Sequence, residues 1–186
     1  MTHPIRLVAP VPLLLLVSLL TACGFQLRGQ MNLNSDLTRL AVSGGDSLYI
    51  RQLTKALNNN GIEVTDAAPY RLRILSVEKK GNKQIQASAG RYERQLVLTA
   101  AYQLETQDGL ALFGPVELSN SRYISYDQNQ TNAAQAEENL AYKELTQELV
   151  YTTVRRVAGI SGSKLEEEVA RARKARQVEL NSEEAQ

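Results

Sequence analysis

Between Tyr92 and Thr106 the residues Tyr92, Arg94, Leu96, Leu98, Ala100, Tyr102 and Leu104 recur at every second position. That is the spacing at which side chains share one face of a β-strand. Gln107-Asp108-Gly109 closes the run as a hairpin signal. Beyond it, Ala111 to Asp127 reads as a second extended segment, interrupted at Gly114-Pro115, where proline marks an edge or a bulge. The chain is thereby committed to a sheet.

The flanking segments say what covers that sheet. Leu37 to Ser43 alternates as a half-buried strand does. Ser47 is placed to cap a helix running to about Asn59, with Tyr49, Leu53, Ala56 and Leu57 on one side and Asn58-Asn59-Asn60-Gly61 ending it. From Tyr70, Leu72, Ile74 and Ser76 point one way and Arg71, Arg73 and Leu75 the other, with Gly81-Asn82 as a turn or a strand extension. Between Asn132 and Ala158, Glu138, Tyr142, Leu145, Leu149, Thr153 and Val157 form one helical stripe in which Glu138 is the exception that reaches solvent.

Past Gly159 the chain mixes lysine and arginine with glutamate and has few large apolar residues, too few to join a core. Residues 160–186 are therefore expected to be a charged, disordered tail, and residues 37–159 a single domain. The order β-α-β-β-β-α predicts an α+β fold, a two-layer sandwich with a four-stranded mixed sheet and two helices on one face. Arg71, Arg73, Tyr92, Arg94, Tyr102, Tyr123 and Tyr126 are the candidates for the opposite face. Half aromatic and half basic, such a face suits a protein interface.

The N-terminus has the three-part layout of a secretory signal: Met1 to Arg6 with one basic side chain, the apolar run Leu7 to Leu20, and the small residues Thr21 and Ala22. The run contains Pro10 and Pro12 and falls short of the about 20 residues a helix needs to cross a bilayer. Leu20-Thr21-Ala22-Cys23 fits the bacterial lipobox, so residues 1–22 are expected to be removed and 23–36 to form a lipidated tether. A lone cysteine can also be a small buried hydrophobe or half of an intermolecular disulfide, but neither role places it directly after a signal. Several acyl chains on Cys23 would anchor the protein to a bilayer without spanning it.

Composition removes most catalytic chemistry. The chain has one histidine, His3, inside the signal, and one cysteine, the acylated one. Ser-His and Cys-His nucleophiles are then out of reach, as are nearly all zinc sites. Asp46, Asp66, Asp108 and Asp127 fall in turns, and Glu137-Glu138 and Glu166-Glu167-Glu168 on solvated helix faces. Gly44-Gly45-Asp46-Ser47 lacks the lysine and the spacing of a phosphate loop. Twenty-one basic against 20 acidic residues, with no tryptophan, argue against nucleic-acid binding. No enzyme activity, cofactor or metal is expected.

Leu-Thr-Ala-Cys-Gly-Phe-Gln-Leu-Arg-Gly at 20–29, LYIRQLTKALNNNGIEV at 48–64, RYERQLVLTAAYQL at 91–104, SRYISYD at 121–127 and NLAYKELTQELVYTTVRRV at 139–157 together carry a likeness. Over residues 19 to 158 the chain resembles the LPS-assembly lipoprotein family, LptE. The resemblance implies a two-helix, four-stranded sandwich that plugs the lumen of the outer-membrane barrel LptD, assists its assembly, and binds lipopolysaccharide on its way to the cell surface. It also implies N-acyl and S-diacylglycerol groups on Cys23, with palmitate-class chains. Gly24, where an inner-membrane retention signal shows aspartate, points to the outer membrane.

A lumen-facing surface would then be Arg71, Arg73, Tyr92, Tyr102, Tyr123 and Tyr126. A ligand bearing lipid A phosphates calls for cations, and Lys79, Lys80, Lys83, Arg91 and Arg94 cluster around Gly81 and Gly90. Lysines beside a strand turn also solvate an edge without binding anything. Some family members place basic residues near the start of the last helix, where this chain has Asn132, Ala133, Ala134 and Gln135. The competing readings are a free-standing periplasmic lipoprotein that binds peptidoglycan or an envelope protein, and an anchored enzyme.

Overall fold

The computed structural model describes residues 36–88, 91–127 and 130–184. The signal, Cys23 and the tether up to residue 35 lie outside them. The described elements are β1 (Arg39–Gly44), α1 (Ser47–Asn59), β2 (Glu63–Val64), β3 (Tyr70–Ser88), β4 (Arg91–Thr106), β5 (Val116–Asp127), α2 (Thr131–Ala158) and α3 (Gly162–Glu184). The fold is α+β with a mixed sheet, but the described residues form five strands and three helices where four and two were expected.

The sheet order is β2-β1-β3-β4-β5. β1 runs parallel to both β2 and β3, and the remaining pairs are antiparallel. The extra strand, β2, pairs only Arg39 with Glu63 and Leu40 with Val64. Two residues are too few to display a period, so the sequence pattern is silent on it. β3 and β4 are the long members, at 19 and 16 residues, and a strand of the shorter length runs about 50 Å. Gly81 lies within β3, so Gly81-Asn82 is strand extension and not a turn.

A register shift between Ile74 and Ser76 changes which β3 side chains share a face. Before it, Leu72 opposes Leu104 and Ile74 opposes Tyr102; after it, Val77, Lys79 and Gly81 oppose Ala100, Leu98 and Leu96. Ser76 thus does not continue the row of Leu72 and Ile74, contrary to simple alternation.

α1 is capped by Asp46, whose Oδ1 accepts from the Tyr49 amide at 2.7 Å, so Ser47 is the first helical residue and not the cap. Tyr49, Leu53 and Leu57 are its buried row. α2 buries Tyr142, Leu145, Leu149, Thr153 and Val157, the stripe expected from spacing. Both helices pack on one sheet face over Leu40, Leu72, Leu96 and Leu98, each wholly buried. Burying a side chain of this size contributes about 1.5–3 kcal/mol. A buried hydrogen bond between the Tyr49 hydroxyl and Thr153 Oγ1, at 2.9 Å, ties the two helices together.

α3 occupies the stretch whose composition predicts a disordered tail. Its amide at Gly162 donates to Asp36 Oδ2 at 2.8 Å. Leu165 is buried in the core cluster, and Val169 and Ala172 pack partly buried against it. These three residues at steps of four and three are a weak apolar signal among so many charges. After Ala172 the described side chains are exposed, including Val178 and Leu180.

Candidate functional site

Residues directly opposite one another across a ladder share a face of the sheet, and that test divides the proposed interface set. Arg71 opposes Glu105, Arg73 opposes Gln103, and Tyr123 opposes Gln95, all on the face turned away from α1 and α2. There Arg73 Nη1 lies 3.4 Å from Oε1 of the buried Glu105, and Tyr123 is 61% exposed. Gln95 donates to Ser121 and Thr99 to Ser119, each at 3.2 Å, which makes the face polar.

Tyr92, Arg94, Tyr102 and Tyr126 stand on the other, helix-covered face. Tyr102 is a core residue at 6% exposure, and burial pushes its phenol up, with Arg156 acting weakly the other way. The half-aromatic, half-basic face expected from the sequence therefore does not exist as one surface. The period of β4 puts Tyr92, Arg94 and Tyr102 with Leu96 and Leu98, and only their chemistry likens them to Arg71 and Arg73.

On the covered face, past the last apolar layer, the side chains of β4, β5 and α2 form a polar seam. The rings of Tyr92 and Tyr126 lie 6.2 Å apart at 31°. The Arg94 guanidinium sits 5.4 Å over the Tyr126 ring, and its Nη1 bonds Glu138 Oε2 at 2.9 Å. One turn along α2, the Tyr142 ring lies 5.2 Å from Lys79 Nζ. Burial raises the Tyr142 phenol, and the Glu138 charge adds to that while Arg94 opposes it.

A cleft of about 250 Å³ opens beside this seam, lined among others by Arg94, Tyr126, Asp127, Thr131, Gln135 and Glu138. The first turn of α2 holds no acidic residue, and Gln130 makes no side-chain cap. The helix start is thus electropositive, and Glu138 lies about two turns further on.

The cations expected to meet a ligand do not make one cluster. Lys79 and Arg94 share the helix-side seam. Lys80 points to the opposite face, where it bonds Glu78 at 2.9 Å, and that hydrogen bond raises its pKa. Arg91 is exposed at the start of β4, opposite Asp127, and Lys83 lies outside the residues whose side chains are described. Glu138 and Tyr142 are seam residues that sequence reasoning missed. The available signal was a carboxylate inside an otherwise apolar helical stripe, which marks a partner on the sheet. Among the described residues no group of three or more histidine, cysteine, aspartate or glutamate side chains is placed to hold a metal ion.

The fold is that of a class of bacterial lipoproteins. Lipoprotein B of Nitrosomonas europaea superposes with a TM-score of 0.58 at 22% identity, over 77% of this chain and 96% of that one. A minor lipoprotein of Acinetobacter baumannii gives 0.57 at 21%, over 66% and 91%, and rare lipoprotein B of Shewanella oneidensis gives 0.53 at 17%, over 64% and 93%. No curated protein matches the chain. The family model LptE, described as lipopolysaccharide-assembly, matches residues 37–157. The chain belongs to the LptE lipopolysaccharide-assembly family, and α3 lies beyond the matched region.

Proposed function

We propose that this protein is an outer-membrane lipoprotein, anchored through acylated Cys23, that plugs the LptD barrel, assists its assembly and binds lipopolysaccharide during delivery to the cell surface. The role is binding, with no reaction catalysed. The observation that carries the reading is the family match across residues 37–157. Two features of the chain support it. The polar face of Gln95, Thr99, Ser119, Ser121 and Tyr123 suits the polar interior of a large barrel. Arg94 and Lys79, at the seam, can meet phosphate on a lipid A headgroup.

The test is a mild-detergent pull-down from membranes with a tag after Gln186, the eluate run boiled and unboiled. A large partner whose mobility changes on heating is the expected result, because folded barrels resist detergent until heated. Elution of the protein alone, at stoichiometric yield, overturns the plug and leaves a free-standing envelope lipoprotein.

A further inference from the structure

We infer that Glu138 masks Arg94, so that an anionic headgroup must displace an internal carboxylate before it can bind the cleft between β4, β5 and α2. The inference rests on the reading that this chain binds lipopolysaccharide, and it concerns how that site is controlled. Among the described residues Arg94 is the one arginine lining the cleft, and its guanidinium is held on two sides. Its Nη1 meets Glu138 Oε2 at 2.9 Å, and the Tyr126 ring lies 5.4 Å beneath it.

The two contacts differ in what they leave free. Stacking on Tyr126 fixes the plane of the guanidinium and leaves its donors available. The carboxylate occupies Nη1, a donor that a phosphate oxygen would otherwise take. Glu138 is therefore a competitor, and Tyr126 a support. At 36% and 24% side-chain exposure the ion pair is partly wet, so a multiply charged phosphate can exchange with a single carboxylate. A pair of this kind is worth up to about 1 kcal/mol, or about 5-fold in affinity. The mask sets a threshold against singly charged anions and does not shut the site.

The experiment measures binding of purified lipopolysaccharide in mild detergent, and of pyrophosphate as a headgroup-only probe. It uses the full chain, Glu138→Gln, Arg94→Gln and the double variant, with thermal melts showing that each folds. The expected result is an affinity gain of up to about 5-fold in E138Q, absent when Arg94 is also replaced. Unchanged or weaker lipopolysaccharide binding in E138Q, with binding by the parent intact, overturns the mask and leaves the ligand reading standing. If the parent does not bind lipopolysaccharide, the ligand reading fails, and pyrophosphate decides the mask: a gain in E138Q that needs Arg94 upholds it, and no gain overturns it.

Discussion

Gly44 shows how closely β1 and β3 are fitted. Its φ is +148°, and a Cβ there would come within 2.5 Å of the Ile74 carbonyl oxygen, which is backbone and cannot swing aside. Gly44→Ala is expected to cost about 2 kcal/mol or more, seen as a lower denaturant midpoint. Tyr49 is fixed by other means. Burial is the main cause that pushes its phenol from an ordinary 10.0 up to about 12, and the Thr153 hydrogen bond acts the other way. The unfolded chain loses this proton first, so stability falls as pH rises from about 10 to about 12, by about 2 to 3 kcal/mol in all. Tyr49→Phe should remove that alkaline step while costing about 1 kcal/mol at neutral pH, which urea melts at stepped pH would show. A melt of the variant that keeps the step would place its origin elsewhere.

Among the elements, those with several turns or pleats of regular spacing were legible in the sequence: β4, α1 and the α2 stripe stand where their period puts them, although the cap of α1 is Asp46 and not Ser47. What escaped did so for distinct reasons. β2 is too short to alternate, and the register shift at Ile74/Ser76 turns over the later half of β3 without any glycine or proline to announce it. The sides of the sheet were not legible, since Arg94 and Tyr126, which meet at the seam, were grouped with Arg71 and Arg73 on the opposite face. α3 was hidden by composition, because three apolar residues suffice when the sheet supplies the rest of the core. Leu165→Ala should therefore cost about 2 kcal/mol, whereas Val178→Ala, at 61% exposure, should stay within about 0.5 kcal/mol. Hydrogen exchange along α3 should slow around Leu165 to Ala172 and quicken beyond it. Uniform protection over the whole helix would mean that its distal half is also held.

At the scale of the whole molecule, the proposed anchoring and ligand binding can be tested separately. Under the proposed function, replacing Cys23 with alanine is expected to move the protein from membrane to soluble envelope fractions, which fractionation would show. Charge reversal should distinguish the two faces of the hairpin. Lys79→Glu, at the helix-side seam, should weaken lipopolysaccharide binding in a salt-sensitive way, and Lys80→Glu, already engaged with Glu78 on the opposite face, should matter less. Equal effects would move the site to the hairpin as a whole. The unequal borders of the sheet have a consequence of their own. β5 ends one side with 12 residues, and β2 ends the other with two. Unpaired strand borders recruit further strands, and among the described residues two are long enough to do so: β5, and the stretch of β3 past Ile74, where β1 no longer runs beside it. Copies that join through β5 use up that border on both but keep the one along β3, so strand addition is not closed at a pair.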